Sequence, residues 1–464
     1  MRALPELVVN GHPTPLAELE AGTRLLDVLR SLGLSGAKEG CGEGECGACA
    51  VLCARRDRQG RTRLEAVNSC LVVGPSLPGL HVWTSEALAS GSELHPVQRA
   101  MCRFGGSQCG YCTPGFVISM AAEYYRPDRS PGEADPEAIG GNLCRCTGYR
   151  PIRDALGSLG AVGPNDAFIQ RLAQPTPAAF AWAGPDAEGP LHRPLELDQV
   201  VELLRRYPDA RLVHGATDLG VEMHHGRARP VQLISLEAVA ALRVFEEDAQ
   251  HLRIGAGLPL SQVEQRLDGA VPLLEQLWPL FSSRLIRGRA TLGGNLATAS
   301  PIGDGSLALL ALDAEVELLG QQGVRRVPLS EFFVGYRETQ LAATEVIVSV
   351  RIPLPLVGAA RFYKVSKRNQ DDISIVAAAF TVHLRQGTVA GARLAYGGVA
   401  PTPVRALAAE RALVGKPWEA SAIADASAAL QGEFTPLDDH RASADYRRAL
   451  AAELLQKFWY ETRA

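Results

Sequence analysis

The sequence predicts a multidomain α+β protein, and three observations carry that prediction. All ten cysteines fall between Cys41 and Cys146, so the first third of the chain is built for chemistry that the rest does not share. Pro175, Pro177, Pro185, Pro190 and Pro194 stand among Ala and Gly across 173–194, the composition of a linker. Beyond it, short apolar runs alternate with helical segments. At 464 residues the chain has room for about three or four domains.

The elements follow in order. Leu7-Val8-Val9 and then Asn10-Gly11 reads as a strand entering a hairpin turn. Leu25 to Leu32 has helical spacing, with Gly33 as its stop. Residues 1–80 therefore form a small β-rich domain. Residues 86–160 read as helical: Val97, Met101 and Phe104 share one face, and Pro114 to Tyr125 is a second run with Pro near its start. After the linker, Ala210–His214, Arg253–Ala256, Glu315–Leu319 and Val346–Ile352 read as strands, and Leu307–Leu312 as a buried helix or strand. From Arg361 onward, strands at Ile375–Leu384 and Gly391–Tyr396 precede Ala-rich helices.

Apolar residues make up 46% and charged residues 21%, as in ordinary globular proteins. A net charge of -4 argues against nucleic acid as a main partner. Arg55, Arg56, Asp57, Arg58, Arg61 and Arg63 read as a solvated loop between strands. The N-terminus lacks the pattern of a secretory signal, and no apolar run approaches the ~18 residues of a membrane span. The expected location is cytoplasmic, where cysteines serve as metal ligands or catalytic groups rather than disulfides.

Cys41-x4-Cys46-x2-Cys49, with Cys70 further on, has the spacing of a plant-type [2Fe–2S] site. Gly40, Gly42, Gly44 and Gly47 allow the tight turns that aim backbone N–H groups at sulfur. A zinc site would favour two C-x2-C pairs. Cys53 is surplus and reads as a small buried apolar residue. Cys109-x2-Cys112 and Cys144-x-Cys146 form a second set of four. They stand within Gln108-Cys-Gly-Tyr-Cys-Thr-Pro-Gly and Gly141-Asn-Leu-Cys-Arg-Cys-Thr-Gly-Tyr-Arg. Each pair is expected at the start of a helix, whose positive end favours an anionic cluster. A thioredoxin-like C-x-x-C would leave the second pair unexplained. Cys102 is left over and reads as structural.

The remainder has neither a Rossmann fingerprint nor a P-loop; Gly255-Ala-Gly257 lacks a third glycine. Two glycine-bearing segments, Leu212–Gly220 and Ala290–Asp304, put small residues and hydroxyls where backbone amides can approach a pyrophosphate. Each alone is a weak signal, for which a plain turn is the better reading. His214 and the His224-His225 pair have no third ligand nearby in sequence, which disfavours a metal reading.

A plant-type cluster motif followed by C-G-x-C-T-P-G and C-R-C-T-G-Y resembles the molybdenum hydroxylase family, to which xanthine dehydrogenase, aldehyde oxidase and carbon monoxide dehydrogenase belong. The flavin half extends the resemblance through Glu331–Arg337, Phe362-Tyr-Lys364, Asp371-Asp372-Ile373 and Tyr396-Gly-Gly398. The resemblance implies a β-grasp [2Fe–2S] ferredoxin domain (1–84), a helical-bundle [2Fe–2S] domain (85–165), a linker (166–194), a vanillyl-alcohol-oxidase-type FAD domain (195–355) and an α+β C-terminal domain (356–464). It implies Cys41, Cys46, Cys49 and Cys70 as ligands of one cluster and Cys109, Cys112, Cys144 and Cys146 as ligands of the other. Leu212, Val213, His214, Gly215, Ala216, Thr217, Asp218 and Leu219, with Thr291, Leu292, Gly293, Gly294 and Asn295, would hold the FAD phosphates and ribityl chain. Phe281 would pack on the flavin nucleotide, and Asp304, Ile347 and Lys364 would complete the contacts. The loop Lys367–Asp372 would influence NAD access, or is an ordinary solvated turn.

The order cluster, cluster, flavin is most similar to that of bacterial xanthine dehydrogenase small subunits. It implies a large partner subunit carrying the molybdenum cofactor, in an (αβ)2 heterotetramer. There hypoxanthine or xanthine would be oxidised to urate, with electrons passing through both clusters to FAD and then NAD. No side chain of this chain need act as a general base. Two rival readings are a small subunit for aldehydes or N-heterocycles, and a standalone Fe–S flavoprotein reductase or redox sensor.

Overall fold

The computed structural model describes residues 6–16, 20, 22–56, 62–166, 168–169, 190–368 and 370–463. Two compact units emerge: Met1–Ala240 with Pro259–Gln262 and Ser282–Ala290, and Ala241–Leu258 with Val263–Phe281 and Thr291–Ala464.

In the first unit, β1 (Glu6–Val9) and β2 (His12–Pro15) pair antiparallel. Asn10 and Gly11 make the turn in left-handed backbone, as an Asn-Gly hairpin requires. With β3 (Ala50–Arg56), β4 (Thr62–Asn68) and β5 (His81–Trp83) they form a sheet of order β2-β1-β5-β3-β4, in which only β1 and β5 run parallel. Helix α1 (Leu25–Ser31) buries Leu25, Leu26 and Leu29 completely. The two-residue period of β3 divides its side chains between two cores. Val51 and Cys53 join the α1 core, while Ala50 and Leu52 join the helical core.

That second core is built by α2 (Pro96–Arg103), α3 (Thr113–Tyr124) and α4 (Arg150–Gly157), through Val97, Met101, Phe116, Met120, Ile152 and Leu156. Cys53 is buried as expected. Cys102 departs from expectation: it is exposed on α2, because Val97, Ala100 and Met101 take the inward face. Of the arginine cluster, Arg55 and Arg56 end β3 and Arg63 lies within β4, so these three belong to the hairpin strands. Residues 57–61 lie outside the described residues, as do Pro175, Pro177 and Pro185 of the linker.

A small parallel sheet closes the first unit. It consists of β6 (Leu191–His192), β7 (Arg211–Val213) and β8 (Leu233–Ser235) in the order β6-β8-β7, with α5 (Leu197–Arg206) and α6 (Leu219–His224) on the connections. Val73, Leu191, Val213 and Leu233 form its core.

In the second unit, β9 (Phe245–Glu247), β10 (His251–Gly255), β11 (Glu315–Gly320), β12 (Gly323–Pro328) and β13 (Val346–Pro353) make an antiparallel sheet of order β12-β11-β13-β10-β9. Helix α7 (Leu292–Thr298) packs on β13, and α8 (Asp304–Ala311) is buried all round. A four-stranded sheet follows: β14 (Ala359–Val365), β15 (Val376–Arg385), β16 (Thr388–Gly397) and β17 (Val404–Arg405). Its core is closed by α9 (Leu407–Leu413), α10 (Ala420–Glu433) and α11 (Ala444–Thr462), where Phe380, Leu394, Leu455 and Phe458 meet. Among the described residues, no helix is long and apolar enough to cross a membrane.

Candidate metal centres and flavin site

The first cysteine set folds around a loop that leads into β3. Asn68 at the end of β4 pins this loop by donating from Nδ2 to Gly44 O at 2.7 Å. Cys41 Sγ accepts N–H bonds from Glu43 at 3.3 Å and Cys46 at 3.4 Å. The Cys46 thiol donates to it as well, and with these N–H groups it outweighs burial, bringing the Cys41 thiol down to about 5. Cys49 and Cys70, both buried, hold their sulfurs 3.3 Å apart. The four sulfurs thus pair as Cys41 with Cys46 and Cys49 with Cys70.

The second set pairs Cys109 with Cys146 and Cys112 with Cys144. Cys112 is the residue before α3 and meets the expectation of a helix start. Cys144 and Cys146 do not: Thr147, Gly148 and Tyr149 intervene before α4, the last two in left-handed backbone. The turn supplies its own donors instead. Thr147 N lies 3.4 Å from Cys144 Sγ and its hydroxyl 3.1 Å. Burial pushes the Cys144 thiol up, but these donors together bring it below the ordinary thiol range. Cys109 and Cys146 are exposed, beside exposed Tyr111, Leu143 and Tyr149.

Backbone joins the two loops. Leu143 N–H, adjacent to Cys144, donates to Cys46 O at 3.0 Å. Buried Asn142 donates from Nδ2 to Gly47 O at 3.2 Å. Gly47 has φ +65°, and a Cβ there would collide with Asn142 and with Gly141 O. Among the described residues, no three His, Cys, Asp or Glu side chains are placed to hold one metal ion. The sulfurs are set in twos, an arrangement that would suit a [2Fe–2S] cluster rather than a single ion. The donor chemistry, thiolate sulfur met by backbone N–H, is what such clusters take.

The residues expected to hold FAD divide between the units. In the first unit, Leu212 and Val213 lie in β7, and Gly215 and Ala216 follow in left-handed backbone before Leu219 opens α6. The two left-handed residues turn the chain sharply between β7 and α6. A Cβ at Gly215 would strike Arg289 O. Arg289 forks onto Glu237, and both are almost fully buried. Glu237 accepts from Gly215 N at 3.4 Å and Arg289 Nε donates to Gly215 O at 3.4 Å, so one buried ion pair holds the turn from both sides.

In the second unit, Thr291 caps α7 by accepting from Gly294 N at 3.0 Å. A Cβ on Gly305 would lie 2.7 Å from Asn295 Oδ1 and 3.5 Å from the Phe281 ring, which places those three together. Asn295 Oδ1 is buried and unpartnered, an acceptor suited to a ligand's N–H or hydroxyl. Lys364 Nζ donates to Asp304 Oδ2 at 2.7 Å and to Leu280 O at 2.8 Å, while Ser374 Oγ donates to Asp304 Oδ1 at 2.7 Å. Ile347 is buried in β13, on which α7 packs. In the second unit, Asn295 Oδ1 beside Phe281 is a buried acceptor of the kind a nucleotide's hydroxyl or N–H takes. In the charged loop, Arg368 N donates to Asp372 Oδ2 at 2.8 Å and Arg368 Nη2 to Asp371 O at 2.8 Å; Asn369 lies outside the described residues.

Sequence reasoning missed Asn142, the Arg289–Glu237 pair and Ser374. Asn142 stood inside the cysteine motif and could have been suspected from that position. The others carry no local signal, because their partners are 52 and 70 residues away.

Four family models match in succession: a 2Fe-2S iron-sulfur cluster binding domain over 8–73, a [2Fe-2S] binding domain over 84–157, an FAD binding domain in molybdopterin dehydrogenase over 185–355, and a CO dehydrogenase flavoprotein C-terminal domain over 361–462. Among curated relatives, xanthine dehydrogenase 1 of Arabidopsis thaliana is 34% identical over 98% of this chain and 39% of its own length. A nicotinate hydroxylase of Emericella nidulans is 30% identical over 99% and 41%. The chain thus spans about two fifths of the length of these relatives. Among solved structures, a chain of carbon monoxide dehydrogenase from Hydrogenophaga pseudoflava aligns with TM-score 0.56 at 31% identity, covering 58% of this chain and 96% of that one. A chain of quinoline 2-oxidoreductase from Pseudomonas putida 86 aligns with TM-score 0.55 at 28% identity, covering 60% and 97%.

Proposed function

The chain belongs to the molybdenum hydroxylase family, and from that premise we propose that it is the electron-transfer subunit of a xanthine dehydrogenase, working beside a partner that carries the molybdenum cofactor. Cys41, Cys46, Cys49 and Cys70 would hold one [2Fe–2S] cluster and Cys109, Cys112, Cys144 and Cys146 the other, which would supply one-electron transfer, while bound FAD would supply the pairing of electrons for NAD.

The observation that carries this reading is the contrast between the two cysteine sets and the backbone bond that joins them. Cys109 and Cys146 are exposed among exposed Tyr111, Leu143 and Tyr149, whereas Cys49 and Cys70 are buried. The more exposed set, near exposed Tyr111, Leu143 and Tyr149, suits exchange with a partner; the less exposed one, with Cys41 and Cys46 half-buried, suits onward transfer. Leu143 N–H on Cys46 O keeps the ligand segments of the two sets in direct contact. Within the first unit, the Arg289–Glu237 pair holds the Gly215 turn, which is proposed to receive phosphate. The loop Lys367–Asp372 is proposed to influence NAD access.

Substrate choice would rest with the partner, so a second reading keeps the same electron-transfer role with an N-heterocycle as substrate. The nicotinate hydroxylase and quinoline 2-oxidoreductase among the relatives support it. Purification from the native source separates these readings. The proposal expects molybdenum, a larger co-purifying chain, and NAD reduction with xanthine in preference to aldehydes, nicotinate or quinoline. Absence of molybdenum and of the larger chain would overturn it.

A further inference from the structure

We propose that His225 is a positioning residue for the first cluster, acting through Glu43 on the ligand Cys41. This rests on the reading that Cys41, Cys46, Cys49 and Cys70 bind a [2Fe–2S] cluster. Helix α6 directly follows the Leu212–Leu219 turn and lies against both ligand-bearing segments. At its start, a Cβ on Gly220 would lie 3.2 Å from Leu71, the neighbour of Cys70. At its end, the His224 ring fills the space that a side chain on Gly42, the neighbour of Cys41, would need. Arg24 anchors the same corner, bonding Glu39 at 2.6 Å and lying 3.4 Å from His224 Nδ1.

One residue on, His225 Nε2 lies 2.9 Å from Glu43 Oε1. A carboxylate can only accept, so Nε2–H is the donor. Glu43 in turn gives its backbone N–H to Cys41 Sγ at 3.3 Å. Hydrogen bonds to cluster sulfurs stabilise the added negative charge of the reduced state and raise the reduction potential. A side chain that holds Glu43 in place therefore sets that potential from the flavin-side helix. The histidine pair that fails as a metal site by ligand count has this use instead.

The test is an EPR-monitored redox titration of the purified native complex, following each cluster's signal separately, with iron content measured alongside. His225→Ala is expected to lower the first cluster's midpoint potential, leave the second's unmoved and keep full iron. His225→Gln, which retains an N–H donor, is expected to restore it toward wild type. An unmoved first potential, an equal shift at both clusters, or iron loss that His225→Gln does not repair would overturn the proposal while leaving the cluster reading intact. A wild-type complex without two [2Fe–2S] signals would overturn the cluster reading and this proposal with it.

Discussion

His95 shows how far a single side chain can be committed to one protonation state. Its Nδ1 accepts from Val97 N at the start of α2, and its Nε2 lies 2.6 Å from Tyr125 OH, which itself donates to Asp166. That arrangement requires a neutral ring protonated at Nε2. Burial holds His95 down to about 4, against an ordinary 6.5. Between those values the unfolded chain binds a proton that the folded chain refuses, so stability falls as the pH drops from 6.5 toward 4. The loss has a ceiling of about 3 kcal/mol. His95→Asn keeps a capping acceptor and should flatten that slope in urea midpoints measured across the range. At the same scale, Cys109→Ser should cost the second cluster alone: about half the iron goes and one of two EPR signals remains. The cysteine spacing marked out two sets of four, and the structure brings the sulfurs of each set together in pairs, because number and separation are local properties. The exposure of Cys102 was not, since one residue of rotation on a helix decides it.

Among the elements, those with a strong local period were readable. The Asn10-Gly11 hairpin, the α1 stop at Gly33 and strands β10, β11, β13 and β15 fall within a residue or two of their sequence positions. The turn after Cys146 was not readable, because Thr147 supplies cluster-side donors that a helix start was expected to give. The β7–α6 turn depends on a pair formed by residues far along the chain. Arg289→Ala takes away the cationic partner of the buried Glu237 carboxylate, which costs about 3–5 kcal/mol. Urea denaturation should report that loss, and FAD retention should fall with it. Replacing both partners with apolar residues of similar volume should cost less.

For the whole molecule, the fold class followed from composition and cysteine placement. The small parallel sheet shares a core with Val73 of the N-terminal region, which joins β7 and β8 to the first compact unit. Long-range apolar contacts decided this, and no local pattern records them. The central claim is that two separate sets of four cysteines each hold a two-iron cluster. Combined iron, sulfide and EPR analysis of the dithionite-reduced native protein tests it most directly. The account predicts about four irons and four sulfides per chain, with two distinct [2Fe–2S] signals. Zinc in place of iron, or a single signal with half that iron, would contradict it.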